Sequence, residues 1–399
     1  MEIRTKKEEW KINRSKNITF IVTQDCQLAC KYCYEIGKNN NAKMTWEVAK
    51  QSIDYILSHE EDFPEESVIW DFIGGEPFLE IDLINKICDY VKLEMFNKNH
   101  RWFNSYRFNF STNGINYNNE KVQNFIKKNI KHLSIGISID GTAKKHDLNR
   151  VYKNTGKGSY ADVVKNIPLW LQQFPQGATK VTVSRNDLPF IYESVLHLFS
   201  LGIHEVNINC VFEDVWQDGD DARFENQLMQ LADAIIENRL YENNVCSFFS
   251  EHIGHPLTNN QNWCGAGKML SIDAAGNFYP CTRFAQYSLR EKKAWIIGNI
   301  HDGIDKNKLR PFLTLDRCTQ SQQECIDCEV AEGCAWCQGE NYDAADTHTI
   351  FQRTTAICKM HKARVRANNY YWNKLYRKLE LEGTREDFEK NKKDNNIIC

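Results

Sequence analysis

The chain has 399 residues, 42% of them hydrophobic, which is enough for two ordinary globular cores. A formal net charge of −3 without long basic blocks excludes a nucleic acid as the main partner, and no apolar run is long enough to span a membrane. The N-terminal MEIRTKKEEWKINRSKN is too polar for a secretory signal, so the 15 cysteines point to metal chemistry in a reducing, cytoplasmic compartment and not to a disulfide scaffold.

From residue 18 to 212, short β-rich runs alternate with helical patterns. The strand candidates are ITFIV (18–22), VIWDFI (68–73), RFNFS (107–111), LSIGISI (133–139), KVTVS (180–184) and EVNINCVF (205–212). Apolar residues recur at helical spacing between them, over 45–58, 81–97, 118–128, 160–174 and 190–201. This alternation predicts an α/β fold of parallel strands with right-handed crossovers, and six units suit an open, partial (β/α)6 barrel. Chemistry in such folds gathers at the C-terminal ends of the strands. The distinctive polar segments sit there: TQDCQLACKYCYE after the first strand, GGEP after the second, STNG after the third and SIDG around the end of the fourth. Beyond a helical pattern at 223–242 the chain turns cysteine-rich, with seven cysteines between Cys264 and Cys337. SIDAAGNFYP reads as a hairpin turning at Gly276, which brings Cys264 and Cys281 together. Cys325, Cys328, Cys334 and Cys337 follow in CX2CX5CX2C spacing, then Cys358. Cys88 and Cys210 lie in apolar-periodic stretches and read as core thiols.

Cys26, Cys30 and Cys33 stand in CxxxCxxC. Three thiolates at these spacings can hold three irons of a [4Fe–4S] cube and leave the fourth iron open to a small molecule. A zinc knuckle or spare buried thiols are the alternative for this motif alone. With Tyr32 before the last cysteine, the motif resembles the signature of radical S-adenosylmethionine (SAM) enzymes, and Gly74, Gly75, Glu76 and Pro77 match the GGEP element of that family. The resemblance implies that the open iron chelates the methionine moiety of SAM and that an electron from the cluster releases a 5′-deoxyadenosyl radical. Glycines let a backbone approach the ligand, and nearby oxygens can accept hydrogen bonds from its ammonium group; a plain strand-to-helix turn would use the same residues. The resemblance further implies SAM contacts from Asn113, Ser138, Asp140, Arg150 and Ser184. The Arg150 guanidinium can pair with the SAM carboxylate, although a surface salt bridge explains it nearly as well.

The rear cysteines resemble the SPASM extension of radical SAM enzymes that act on peptides and proteins, with the last interval one residue shorter than the commoner pattern. This implies two auxiliary clusters, making three [4Fe–4S] clusters in all. Cys264, Cys281 and Cys337 would hold the nearer one, and Cys325, Cys328, Cys334 and Cys358 the outer one. Cys318 is the candidate for the missing fourth ligand, and Cys246 a weaker one; otherwise an open iron could bind a substrate thiolate. A zinc ribbon would use the same CX2C pairs. The expected organisation is an N-terminal extension (1–17), the radical SAM partial barrel (18–222), a helical bridge (223–262), the SPASM domain (263–360) and a C-terminal helix with a polar tail (361–399).

The chain resembles most the maturases of cysteine-repeat precursor peptides, of the thioether-forming ranthipeptide and sactipeptide type. The expected function is installation of cysteine-sulfur-to-carbon crosslinks in a ribosomally made peptide, with flavodoxin or ferredoxin as electron donor. No catalytic side chain is assigned beyond the cluster ligands. Carbon–carbon cyclophane formation and epimerisation are the rival peptide reactions. Sulfatase maturases carry an aspartate after the second hairpin cysteine, where this chain has Thr282. An iron–sulfur electron-transfer module would use the cysteines equally well but leaves GGEP without a purpose. Only 25 residues precede Cys26, so no leader-binding domain is expected ahead of the barrel, and a peptide could pair along an exposed strand edge. Trp263 and Trp336 could line a peptide groove, with Tyr370, Tyr371 and Trp372 better suited to helix packing. Cys399 ends a polar tail as an exposed thiol.

Overall fold

The computed structural model describes residues 15–38, 41–250, 264–316, 318–331, 334, 336–343 and 346–394; Trp263, Cys399 and the first 14 residues lie outside the described residues. Six parallel strands follow in chain order: β1 (Ser15–Thr23), β2 (Ser67–Gly74), β3 (Tyr106–Thr112), β4 (Leu133–Ile137), β5 (Ala178–Val183) and β6 (Glu205–Cys210). β1 to β4 form a continuous ladder. The ladder thins between β4 and β5, which are joined by the single bridge Ser138↔Lys180 and by the Thr179 hydroxyl donating to the Ile137 carbonyl at 2.6 Å. The result is the partial α/β barrel that strand–helix alternation predicts.

The crossover helices are α1 (Trp46–Ser58), α2 (Ile81–Asn97), α3 (Glu120–Asn129), α4 (Ala143–Asn149), α5 (Tyr160–Val164), α6 (Ile167–Gln173) and α7 (Ile191–Ser200). Side-chain oxygens start several of them: Thr45 accepts from Val48 N, Asn119 from Lys121 N and Thr142 from Lys145 N. The single helical pattern at 160–174 is two helices in the structure. Pro168 has no N–H and its ring excludes the carbonyl of the residue four before it, so α5 stops at Val164 and α6 starts afresh.

Period-two alternation gives the barrel an apolar outer layer and an inner face that carries polar side chains. On β3, Tyr106, Phe108 and Phe110 are buried under the helices while Arg107, Asn109 and Ser111 line the inner cavity. Phe20 and Phe110 both stack on Phe72 across the ladder. On β6, Val206, Ile208 and Cys210 are buried, whereas Glu205, Asn207 and Asn209 face the lumen.

Two sheet pairings are additional to the predicted strands. The two-residue strand β7 (Val245–Cys246) runs parallel along β6. The cysteine-rich region supplies the hairpin β8 (Met269–Ile272) and β9 (Asn277–Tyr279), and β8 pairs in parallel with the outer edge of β1. β10 (Gly298–Asn299) and β11 (Gly303–Ile304) extend that sheet. The rear region is therefore stitched to the barrel at its first strand. α8 (Asp220–Glu237), α9 (Lys306–Thr314), α10 (Gln323–Ile326) and α11 (Gln338–Asp343) lead to the long α12 (Cys358–Glu382) and to α13 (Arg385–Asp394). α12 packs on α8 through Arg366–Glu225 and through Tyr370 and Lys374 on Asp233, and it ends at Gly383 with φ 69°. Among the described residues no helix is long and apolar enough to cross a membrane.

Candidate functional site

The loop from Thr23 to Lys38 crosses the C-terminal mouth of the barrel and is held there by the end of β2. Gly75 N donates to Thr23 O (3.0 Å) and Glu76 N to Asp25 O (2.8 Å). A Cβ on Gly74 would stand 2.0 Å from Thr23 O, and one on Gly75 2.2 Å from Asp25 O. The two glycines thus allow GGEP to press against the chain just before Cys26. Glu76 is fully committed: its carboxylate accepts from Phe78 N (3.1 Å), the Thr112 hydroxyl (2.7 Å) and Asn113 N (2.8 Å). It ties β2 to β3 while still lining the cavity beside the GGEP backbone. Pro77 opens the short 3-10 turn that follows.

Cys26, Cys30 and Cys33 line one cavity of about 450 Å³, together with Tyr32, Gly74, Gly75, Glu76, Asn113, Ser138 and Arg150. Burial pushes the Cys26 thiol up to about 12 and also raises that of Cys33. Burial works against the Lys38 ammonium, but the Cys33, Cys30 and Cys26 sulfurs outweigh it and raise Lys38 above its ordinary value. Asn113 donates from its side-chain amide to Gln27 (3.1 Å) and turns its oxygen to Ile115 N (3.0 Å). Ser138 N bonds to Thr112 O at 2.8 Å.

Asp140 and Arg150 answer the salt-bridge question with a buried pair in place of a surface one. Arg150 Nε lies 2.9 Å from Asp140 Oδ2, with side-chain exposures of 9% and 0%. Asp140 also accepts from the Tyr32 hydroxyl and from Thr182 N (3.1 Å), and the Arg150 guanidinium sits 5.5 Å over the Tyr32 ring. Burial opposes the Asp140 charge, yet Arg150, Lys145 and Tyr32 together hold its carboxyl well below the ordinary range. Asp140 does not line the cavity; it fixes Tyr32 and Arg150, which do. Ser184 lies elsewhere too. It caps the 3-10 turn Arg185–Phe190 in a reciprocal box with Asp187 and lines a neighbouring cleft of about 890 Å³.

The rear cysteines fall into two groups. Burial, then the nearby Cys337 and Cys281 sulfurs, push Cys264 up to about 12, so these three thiols share one locality. Cys337 also reaches the front cavity. Cys325, Cys328, Cys334 and Cys358 line a second cavity of about 530 Å³, beside Arg353, whose guanidinium lies 3.8 Å over the Trp336 ring. The 890 Å³ cleft shares Tyr32 and Cys33 with the front cavity and Thr355 and Ala356 with the outer one. Cys318 lines neither cysteine cavity. Cys246 is buried in β7 and Cys88 within α2, both as core thiols. Trp336 is buried with its indole N–H on Gln320, and Tyr371 and Trp372 are buried in α12, so none of the three offers an open groove.

Among the described residues, no three His, Cys, Asp or Glu side chains converge as a cage for a single metal ion. The thiols instead ring cavities, and an all-sulfur donor set suits an iron–sulfur cluster and not a hard cation. Several residues at this mouth carry no motif. Arg283 pairs with Glu213 (2.7 Å) and lies 4.4 Å over the Tyr34 ring, while its backbone N donates to Cys281 Sγ (3.4 Å). Glu35 is buried in the front cavity, and that burial raises its carboxyl to about 7. The hint for both was adjacency to motif cysteines.

Residues 16–163 match the family model described as a 4Fe-4S single cluster domain. An uncharacterized protein of Methanocaldococcus jannaschii is 34% identical over 199 residues, 50% of this chain and 63% of that protein. A cysteine-type anaerobic sulfatase-maturating enzyme of Clostridium novyi is 31% identical over 150 residues, 37% of this chain and 38% of that enzyme. The chain thus spans less than two thirds of either curated relative. Among solved structures, anSMEcpe with bound AdoMet and Kp18Cys peptide superposes with a TM-score of 0.66 at 19% identity, covering 90% of this chain and 99% of that one. Streptococcus suis SuiB bound to its precursor peptide SuiA gives 0.56 at 15% identity, covering 88% and 79%. The chain has the fold of anSMEcpe and SuiB: a partial barrel with a three-cysteine front loop, continued by a cysteine-rich extension.

Proposed function

We propose that this protein is a radical SAM enzyme that installs thioether crosslinks in a ribosomally made, cysteine-rich precursor peptide. The observation that carries the SAM reading is the convergence of Cys26, Cys30 and Cys33 with Tyr32, Arg150 and the GGEP backbone on one cavity. The three cysteines would hold the first [4Fe–4S] cluster. The rear thiols would hold two more, on Cys264, Cys281 and Cys337 and on Cys325, Cys328, Cys334 and Cys358. Bound together, the first cluster and SAM supply a 5′-deoxyadenosyl radical that can take a hydrogen atom from a peptide carbon. The chain's own part is positional. Asp140 locks Tyr32 and Arg150, Arg150 presents a guanidinium to the SAM carboxylate, and the glycine backbone closes over the ammonium end. Each crosslink leaves the peptide two hydrogens lighter: the carbon's goes to 5′-deoxyadenosine and the sulfur's leaves as a proton. The electron that cleaves SAM enters from a flavodoxin- or ferredoxin-class donor, and one leaves as the bond forms.

Thr282 supports crosslinking over sulfatase-type oxidation, because the position after Cys281 offers a hydroxyl turned to Tyr34 and no carboxylate. The likeness to anSMEcpe and to the sulfatase-maturating enzyme favours the second reading, a sulfatase-type maturase, with Glu35 as the carboxyl in the cavity. Anaerobic co-expression with small cysteine-rich peptides encoded nearby, followed by mass spectrometry, separates the two. Thioether formation protects one cysteine per crosslink from alkylation. A formylglycine product, or a lighter peptide whose cysteines all still alkylate, would overturn it.

A further inference from the structure

The barrel lumen is a cavity of about 1250 Å³, and polar side chains from every strand stand among the apolar ones on its walls. Closed barrels fill this space with branched apolar side chains. Here Thr19, Asp71, Asn109 and Ser134 stand in register across β1 to β4, and Lys180 stands opposite Asn207 across β5 and β6. The lumen runs up to the front cavity, because Tyr34, Lys180, Asn209 and Thr282 line both.

Several charged residues along this path are held by protein partners. Asp71 accepts from Asn109 (2.6 Å) and Thr19 (3.3 Å), Arg107 donates to Leu133 O (2.6 Å) and Glu205 accepts from Asn207 (2.9 Å). Higher up, Arg150 is held by Asp140 and Arg283 by Glu213. The Lys180 ammonium has no hydrogen-bond or ion-pair partner among the described residues, and it lines both cavities. Lys180 is surrounded by protein yet its surface is open to the cavity; that enclosure and the neighbouring Arg150 and Arg283 lower its ammonium, against Asp71 and Glu35, which favour its charge. An unpaired ammonium on the open inner wall of a cavity, with two more cations nearby, makes this stretch of the wall attractive to an anion.

We propose that Lys180 receives a carboxylate side chain of the target peptide, so that the modified segment carries an Asp or Glu beside the carbon that reacts. This rests on the peptide-modifying reading above and names the substrate chemistry of that same site. Two carboxylates could reach Lys180: that of the peptide and that of SAM. Arg150 already presents a guanidinium within the front cavity, whereas Lys180 is shared with the lumen, which assigns it to the molecule that fills the lumen.

The test uses the full chain with clusters reconstituted and SAM present. The probes are two acetylated, amidated octapeptides holding one cysteine, one with Asp and its twin with Asn. Fluorescence anisotropy should show the Asp peptide binding about tenfold tighter to the wild type, a difference of about 1.4 kcal/mol. That preference should vanish in Lys180→Gln, persist in Lys180→Arg, and pass to a lysine-bearing peptide in Lys180→Glu. Equal affinity of the twins for the wild type, binding of neither, or a preference that survives in Lys180→Gln overturns the proposal. So does a tenfold loss of SAM affinity in Lys180→Gln measured without peptide, which would give the ammonium to the cofactor. Release of 5′-deoxyadenosine by the wild type reports separately on the radical SAM reading, so the two can fail independently.

Discussion

The front and rear cysteine sites are built in opposite ways. The front loop is clamped by regular structure. Backbone bonds from Gly75 and Glu76 beyond the end of β2 hold Thr23 and Asp25, Ala29 N bonds to Val151 O after α4, and Asp140 beyond the end of β4 holds Tyr32. Of the rear cysteines, Cys264 and Cys281 flank the β8–β9 hairpin and Cys358 opens α12, but Cys325, Cys328, Cys334 and Cys337 sit on little regular structure. Between Thr314 and Cys358 the described residues form only the four-residue α10 and the six-residue α11. The comparison teaches that the barrel can pre-form the front site before any cluster binds. At the rear, a cluster held as proposed would itself supply a large share of the local folding energy.

The largest effect that could break this contrast is removal of the rear thiols proposed as cluster ligands. Replacing Cys325, Cys328, Cys334 and Cys358 together by alanine should abolish hydrogen-exchange protection over 318–358 while the β1–β4 amides keep theirs. Replacing Cys26, Cys30 and Cys33 should leave protection in both regions close to the wild type and remove about a third of the iron. Equal loss of protection in both variants would end the distinction.

Next comes the buried tie under the front loop. Asp140→Asn leaves Arg150 buried without its counter-charge and should cost about 3–5 kcal/mol in denaturant unfolding. The Asp140 carboxyl is depressed in the fold, so its contribution is complete above the unfolded value near 3.9 and is lost as pH falls through the lower folded value. Wild-type stability should therefore drop more steeply below about pH 4 than that of Asp140→Asn. Parallel acid profiles would mean that Asp140 does not carry this tie.

A smaller loss follows from Gly74→Ala. At φ 151°, with Thr23 O in the way of any Cβ, the front loop must shift, at a cost of about 1–3 kcal/mol. Unchanged unfolding midpoints would show that β2 does not clamp the loop. The smallest effect concerns the long helix that carries Cys358. Arg366 is half exposed, so Arg366→Ala should cost under about 1 kcal/mol despite its bidentate contact with Glu225.

Much of the fold was legible because the six barrel strands carry dense β-branched and aromatic alternation, as in RFNFS and EVNINC. β7 was not, since two residues carry no period and Val245–Cys246 is defined by the edge it covers. The hairpin around Gly276 could be read from its turn, but its docking on β1 could not, because an edge pairing leaves no local signature. At the site, cysteine spacing named the thiols. It could not reveal that Glu76 is spent on Thr112 and Asn113, that Asp140 acts only through Tyr32 and Arg150, or that Ser184 caps a turn. Those roles depend on which strand ends meet in space. Lys180 was hidden for a related reason: a single lysine in KVTVS reads as the solvent face of a strand, and here that face is the lumen.

The most direct test of the central claim is the anaerobic release of 5′-deoxyadenosine from SAM under strong reductant, in the wild type and in the variant with Cys26, Cys30 and Cys33 replaced by alanine. The account predicts release by the wild type and none by the variant, with the rear clusters still loaded. No release by iron-replete wild type, or equal release by both proteins, would contradict it.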